Sequence, residues 1–177
     1  MKALNQEVSI YKNVYDTVGT TIRLRDFILS DIYKSEIELI RETTCKKERD
    51  QLKKQLPLIT VSGIFEPTRS SENLVSQTGL MCVDIDQQDN THITNFDKLK
   101  EQISNLKEVL FCGVSASGIG YYCIVQIKYP SKHIEHFRAL EADWLRYGIV
   151  IDRNCKDVTR MRGYSYDDKP YTNESAR

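Results

Sequence analysis

No stretch of this sequence approaches the ~20 consecutive apolar residues that cross a bilayer, and its opening residues, MKALNQEVSIYKN, lack the apolar core of a secretory leader. A spanning or exported protein is therefore not expected, and no membrane partner is assigned. An excess of one charge is also missing. Lys and Arg number 25 and so do Asp and Glu, so bulk charge points neither to nucleic acid nor to a lipid surface, and any charged site must come from local clustering. A cysteine pattern is lacking too: Cys45, Cys82, Cys112, Cys123 and Cys155 are odd in number, widely spaced and mostly inside apolar runs. That argues against a disulfide frame or a zinc site and for reduced thiols in a cytoplasmic protein. The chain carries no internal repeat, no low-complexity segment and no serine- or cysteine-nucleophile motif.

What is present fits one core. With 177 residues and 40% hydrophobic content, a single domain over 1–177 is expected, with residues 1–66 as an N-terminal elaboration and 79–167 as the main sheet. The polar end DDKPYTNESAR has no obvious stop to the fold, so the chain is expected to be the N-terminal part of a longer protein.

Periodicity supplies the elements. VSIYKNVYDT reads as a strand, and residues 21–57 as a short helix and then a longer polar one ended by Pro57. LITVSGIF is β-rich, EPTRSSEN is a loop, and GLMCVDID is the first clear core strand. In TNFDKLKEQISNL the residues Phe96, Leu99, Ile103 and Leu106 are spaced 3, 4 and 3, which predicts an amphipathic helix. The strands VLFCGVS and YYCIVQI follow. A second helix over 131–147 has Phe137, Leu140, Trp144 and Tyr147 at the same spacing, Ser131 as N-cap and Gly148 past its end. IVID closes the series as a short strand. The order over 80–152 is β-α-β-β-α-β, a split βαβ or ferredoxin-like unit in an α+β fold, with its first strand central between the third and fourth.

Alternation along that first strand sends Val83 and Ile85 to the helix-covered face and Asp84 and Asp86 to the open one. Two like charges on one face repel unless a cation sits between them. Asp152 ends the neighbouring strand, and three hard oxygen donors on one sheet suit Mg²⁺ or Mn²⁺ better than zinc. The bland alternative is a pair of acids that solvate a turn.

GVSASGIGYY joins two strands. Gly118 and Gly120 are free to take positive φ, and successive N–H groups beside Ser115 and Ser117 suit a phosphate, although a plain hairpin turn explains the same glycines. Arg153, Arg160 and Arg162 in DRNCKDVTRMRGYSYD suit bidentate phosphate recognition or salt bridges to Asp152 or Asp157. The basic stretch CKKERDQLKK reads as a solvated helix face, and His133 and His136 as surface histidines.

LPLITVSGIF, GLMCVDID, SASGIGYY and IDRNCKDVTRMRGYSYD together resemble the VirE N-terminal-type domain of mobile-element proteins from Bacteroides-like bacteria, over nearly the whole chain. That domain is in turn similar to the archaeo-eukaryotic primase, or primase-polymerase, superfamily. The resemblance implies an RRM-like sheet on which Asp84, Asp86 and Asp152 hold Mg²⁺ or Mn²⁺, with Ser115, Ser117, Gly118, Gly120, Tyr122, Arg160 and Arg162 binding nucleotide. Tyr122 stands where the superfamily has a histidine. It can donate to a phosphate or stack on a base, but it cannot carry the imidazolium charge.

Two readings follow. In one, the domain is a primase/polymerase-like nucleotidyltransferase in mobile-element DNA replication, acting on nucleoside triphosphates and a primer-template, with a helicase module possible downstream. In the other, it is a non-catalytic module for single-stranded DNA or a nucleotide, with Tyr121 or Tyr122 as a stacking platform.

Overall fold

The computed structural model describes residues 3–176; Met1, Lys2 and Arg177, at the ends of the expected domain, lie outside the described residues. In chain order the elements are β1 (Glu7–Tyr11), β2 (Thr20–Arg23), α1 (Leu24–Ile28), α2 (Lys34–Glu42), α3 (Lys46–Gln55), β3 (Leu58–Thr60), β4 (Gly63–Phe65), β5 (Leu74–Gln77), β6 (Leu80–Asp86), α4 (Leu99–Ser104), β7 (Val109–Val114), β8 (Gly120–Gln126), α5 (His133–Arg146), β9 (Arg162–Gly163) and β10 (Tyr171–Thr172). The class is mixed α+β with antiparallel sheets. One sheet has the order β2-β1-β3-β9, another β10-β7-β8-β6, and β4 and β5 form a hairpin.

β6 explains how two cores arise from one strand. Met81, Val83 and Ile85 pack with Phe96, Leu99, Ile103, Phe137 and Trp144 beneath α4 and α5. Leu80 and Cys82, on the other face, pack with Phe111, Tyr122 and Ile124 and with residues of the N-terminal sheet such as Val8 and Ile59. Each fully buried aliphatic side chain on either face contributes about 1.5–3 kcal/mol. The face expected to be open is thus covered over its first half by the N-terminal elements, and only its Asp84–Asp86 end is left for solvent or ligand.

The expected strand at 149–152 runs beside β6 but is not a strand. Asp152 N–H donates to Asp84 O at 2.9 Å, and beyond that point a side chain takes the place of the ladder. Asn90, fully buried, donates to Asp86 O and Val150 O and accepts from Val150 N–H, at 2.9, 2.9 and 2.8 Å. An amide presents donors and an acceptor in one plane, so it substitutes for a strand partner where the two backbones diverge.

Other elements differ in detail. Residues 20–23 form β2, and the polar stretch after it is three helices, because Ser30–Tyr33 and Thr43–Cys45 interrupt the helical backbone. A 3-10 turn at Pro130–Lys132 precedes α5, so Ser131 is not the cap, while Gly148 follows the helix at φ 76° as expected. His133 is buried rather than superficial. Arg162–Gly163 form β9, which pairs with β3 of the N-terminal sheet, Ile59 opposite Arg162. All five cysteines are unpaired thiols, and among the described residues no helix is long and apolar enough to cross a membrane.

Candidate functional site

A cleft of about 310 Å³ opens where the two four-stranded sheets meet, lined by Asp84, Asp86, Ser115, Ser117, Arg160 and Arg162 among others. Its volume lies at the small end of ligand pockets. The β6 register sets the acids opposite Tyr122 and Gly120 of β8, with Asp84 facing the first and Asp86 the second. Gly120 leaves room for this: a Cβ there would meet Ile85 O at 2.8 Å and Asp86 Oδ1 at 3.2 Å.

The repulsion between the acids is relieved by arginine. Arg162 Nη1 donates to Asp84 Oδ1 in a very short contact, and Arg160 Nη2 lies 3.1 Å from Asp152 Oδ2 and 3.6 Å from Asp84 Oδ2. Arg162 rests on the Tyr122 ring, its guanidinium carbon 4.2 Å from the centroid, a cation–π contact beneath an ion pair. Burial alone would lower the Arg162 guanidinium, but Asp84 and its neighbours hold it above its ordinary value. Among the described residues Asp86 has no such partner. Burial first, and then Asp84 and Asp152, push its carboxyl above the usual carboxylate range.

Asp152 does not line the cleft, and Arg160 bridges it to Asp84. Its Oδ1 accepts from Asn154 N and Nδ2, both at 2.9 Å. Ligating atoms of Asp84, Asp152 and Cys155 all lie within 4.8 Å of one another, so a cation site is available there among these three, with Asp86 outside the cluster. Burial pushes the Cys155 thiol up to about 12, so a cation there would have to displace its proton, and a hard ion would take the two carboxylates first. Carboxylate oxygen with open positions fits Mg²⁺ or Mn²⁺, and either ion would have to displace Arg160 from between the acids.

The expected nucleotide-binding residues divide. Ser115, Ser117, Arg160 and Arg162 line the cleft with the acids. Tyr122 does not: its ring is 3% exposed and carries Arg162 instead of facing a ligand. Gly118 sits in the turn between β7 and β8 at φ 77°, where its N–H donates to Ser115 O at 2.9 Å. Ala116 and Ser117, central in that turn, line the cleft, and among the described residues their N–H groups have no acceptor. Unpaired N–H groups beside two hydroxyls form an anion-binding concavity.

Lys53 and Lys54 were missed. They are half-buried at the end of α3 and line the cleft opposite the acids. Burial, the first of several influences, lowers the Lys53 ammonium, and Arg162 adds to that while Asp86 opposes it. Glu48 and Asp50 interleave with the lysines in sequence, which hid the fact that one turn of α3 faces inward. The signal available was Leu52, Leu56 and Leu58 just after, which fix that end of the helix against the core.

Against known proteins, residues 51–171 match the family model described as the BT4734-like, N-terminal domain. That span is more than half of the chain and includes every residue of the cleft named above, so the chain belongs to this family. No curated protein and no solved structure matches it.

Proposed function

We propose that this domain is a divalent-metal-dependent nucleotidyltransferase of the primase-polymerase-like kind, taking a nucleoside triphosphate and a primer strand. The observation that carries the reading is one cleft that sets Asp84 and Asp86, with Asp152 joined to Asp84 through Arg160, against a turn of free N–H groups and four cations, Lys53, Lys54, Arg160 and Arg162. Carboxylates beside phosphate-seeking donors suit a metal–polyphosphate complex, which presents positive and negative charge together. The finer fold expectation, an RRM-like split βαβ sheet, is supported by the order β6-α4-β7-β8-α5 and by the run of 149–152 beside β6. The resemblance to the VirE N-terminal-type domain points the same way.

In this reading Asp84 and Asp152, joined by Asp86 once its carboxylate turns toward the ion, would hold Mg²⁺ or Mn²⁺, which when bound would neutralise the charge that develops on the phosphates. The Ser115–Gly118 turn and the lysines of α3 seat the triphosphate. Arg160, released from Asp84 and Asp152, turns its guanidinium to a phosphate. The primer 3′-hydroxyl oxygen forms a bond to the α-phosphorus, the bond from that phosphorus to the β-bridging oxygen breaks, and pyrophosphate leaves while the hydroxyl proton passes to water. Positioning and electrostatics carry such a transfer.

The arginine pairing of Asp84 favours a second reading, a module that binds single-stranded DNA or a nucleotide without turnover. A template-dependent extension assay with Mn²⁺ and nucleoside triphosphates separates the two. Extension by the wild type that falls at least about a hundredfold in Asp86→Asn and Asp152→Asn supports transfer. Metal-independent retention of labelled single-stranded DNA, equal in all three proteins and with no extension, supports the binding module.

A further inference from the structure

We infer that Arg41 of α2 is the positioning residue of the phosphate seat, holding the turn between β7 and β8 so that its free N–H groups face the cleft; this rests on the nucleotide reading above. Arg41 Nη2 donates to Ser115 O at 3.2 Å and to Tyr166 O at 2.6 Å. Ser115 O already accepts the turn-closing bond from Gly118 N–H at 2.9 Å. Both lone pairs of that carbonyl are therefore engaged.

A trans peptide unit sets its C=O and its N–H in opposite directions. The carbonyl of Ser115 and the N–H of Ala116 belong to one such unit, so a guanidinium that draws the first to itself aims the second away. Ala116 lines the cleft, and among the described residues its N–H has no acceptor. The stem of Arg41 completes the support: a Cβ at Gly118 would meet its Cδ at 3.3 Å.

The placement is unusual for an arginine. Among the described residues Arg41 forms no ion pair within 4.0 Å, and its Nε is buried without a hydrogen-bond partner. Burial lowers its guanidinium, against Asp167, Glu38 and Asp168, which raise it. A half-buried cation that gives its donors to two carbonyls keeps a positive charge directly behind the turn. An anion in front of the turn then meets N–H donors backed by that charge. Tyr166 O, the second acceptor, lies in the segment that follows Arg162 in β9, so one side chain sets the turn relative to the strand that brings in the arginine paired with Asp84.

The test titrates wild type, Arg41→Lys and Arg41→Gln with a nucleoside triphosphate and with inorganic tripolyphosphate, both with Mn²⁺, and separately with Mn²⁺ alone. We expect Arg41→Gln to lose about tenfold in affinity for both phosphate ligands, with Mn²⁺ affinity unchanged. Arg41→Lys, which keeps the charge but can reach fewer acceptors, should lose less and remain folded if Arg41→Gln is not. Added methylguanidinium should restore part of the tripolyphosphate affinity of Arg41→Ala, and hydrogen exchange of the Gly118 amide should quicken in Arg41→Gln. Unchanged affinity for tripolyphosphate in both variants, when the wild type binds it, overturns the role of Arg41 and leaves the nucleotide reading standing. Failure of the wild type to take up either phosphate ligand overturns both.

Discussion

The two faces of β6 carry adjacent residues into opposite surroundings. Met81, Val83 and Ile85 are fully buried among apolar side chains of α4, α5 and the neighbouring strands β7 and β8, so that face is dry. Leu80 and Cys82 begin the other face inside a second core, and the strand then passes out from under the N-terminal sheet, so Asp84 and Asp86 emerge in the cleft. The dry face is built from segments close in sequence, residues 81 to 155. The cleft face is built from segments far apart: Lys53 of α3, Ser115 after β7 and Arg162 on β9. One face therefore makes stability from shape alone, while the other depends on charges that cancel only when distant segments arrive together. Asp84 is tolerable there because Arg160 and Arg162 meet it, and Arg162 is held by the other sheet.

The sharpest contrast comes from Ile85→Ala. It should cost about 4 kcal/mol in urea denaturation, from the lost side chain and the cavity left behind, while the folded fraction keeps its Mn²⁺ affinity. A parallel loss of Mn²⁺ affinity would show that the faces are not independent. Next in size is Arg162→Ala, which leaves Asp84 half-buried without its partner and should cost about 3 kcal/mol. Adding Asp84→Leu to it should recover most of that stability, and a double variant no more stable than the single one would show that the pair is not the source of the effect.

Gly120→Ala tests the register across the cleft. The new Cβ would lie 2.8 Å from Ile85 O and 3.2 Å from Asp86 Oδ1, so a loss of about 1–3 kcal/mol is expected. Mn²⁺ titration should show a weaker site because Asp86 is displaced, and an unchanged titration would remove Asp86 from the metal site. The smallest effect belongs to His133, at the start of the helix that covers the dry face. Burial first lowers its imidazole, with His136 adding and Asp157 opposing. A base depressed on folding contributes stability that is present above its unfolded pKa and lost as pH falls through its folded one. Melting temperature should therefore drop as pH is lowered from 7 toward 5, and His133→Gln should flatten that drop, by under about 1 kcal/mol. An identical acid slope in both proteins would place its cause elsewhere.

The local elements of the second half were legible because their spacing reports a single neighbour. The 3, 4 and 3 spacing from Phe137 to Tyr147 found α5, and alternation in LMCVDID found which residues of β6 enter the dry core. The apolar IVID predicts a strand at residues 149–152, and no rule of periodicity shows that Asn90, from a polar loop, replaces half of its ladder. Strand alternation sets Tyr122 on the face of the acids, yet its burial under Arg162 depends on β9 joining β3, a pairing between residues about a hundred positions apart.

The sequence by itself determined the acids and their direction. With a side chain pointing to alternate faces at each step, Asp84 and Asp86 had to share a face once Val83 and Ile85 were in the core. It also determined the serines and glycines of the turn after β7. Tertiary structure alone decided what stands across from them. Lys53 and Lys54 look solvated within α3, Arg41 looks like one more charge on α2, and the pairing of Arg162 with Asp84 spans the two sheets. The physical reason is range: periodicity encodes how a segment meets one surface next to it, whereas charge pairs form between whichever segments packing brings within a few ångströms, and nothing in the local pattern of either partner specifies the other.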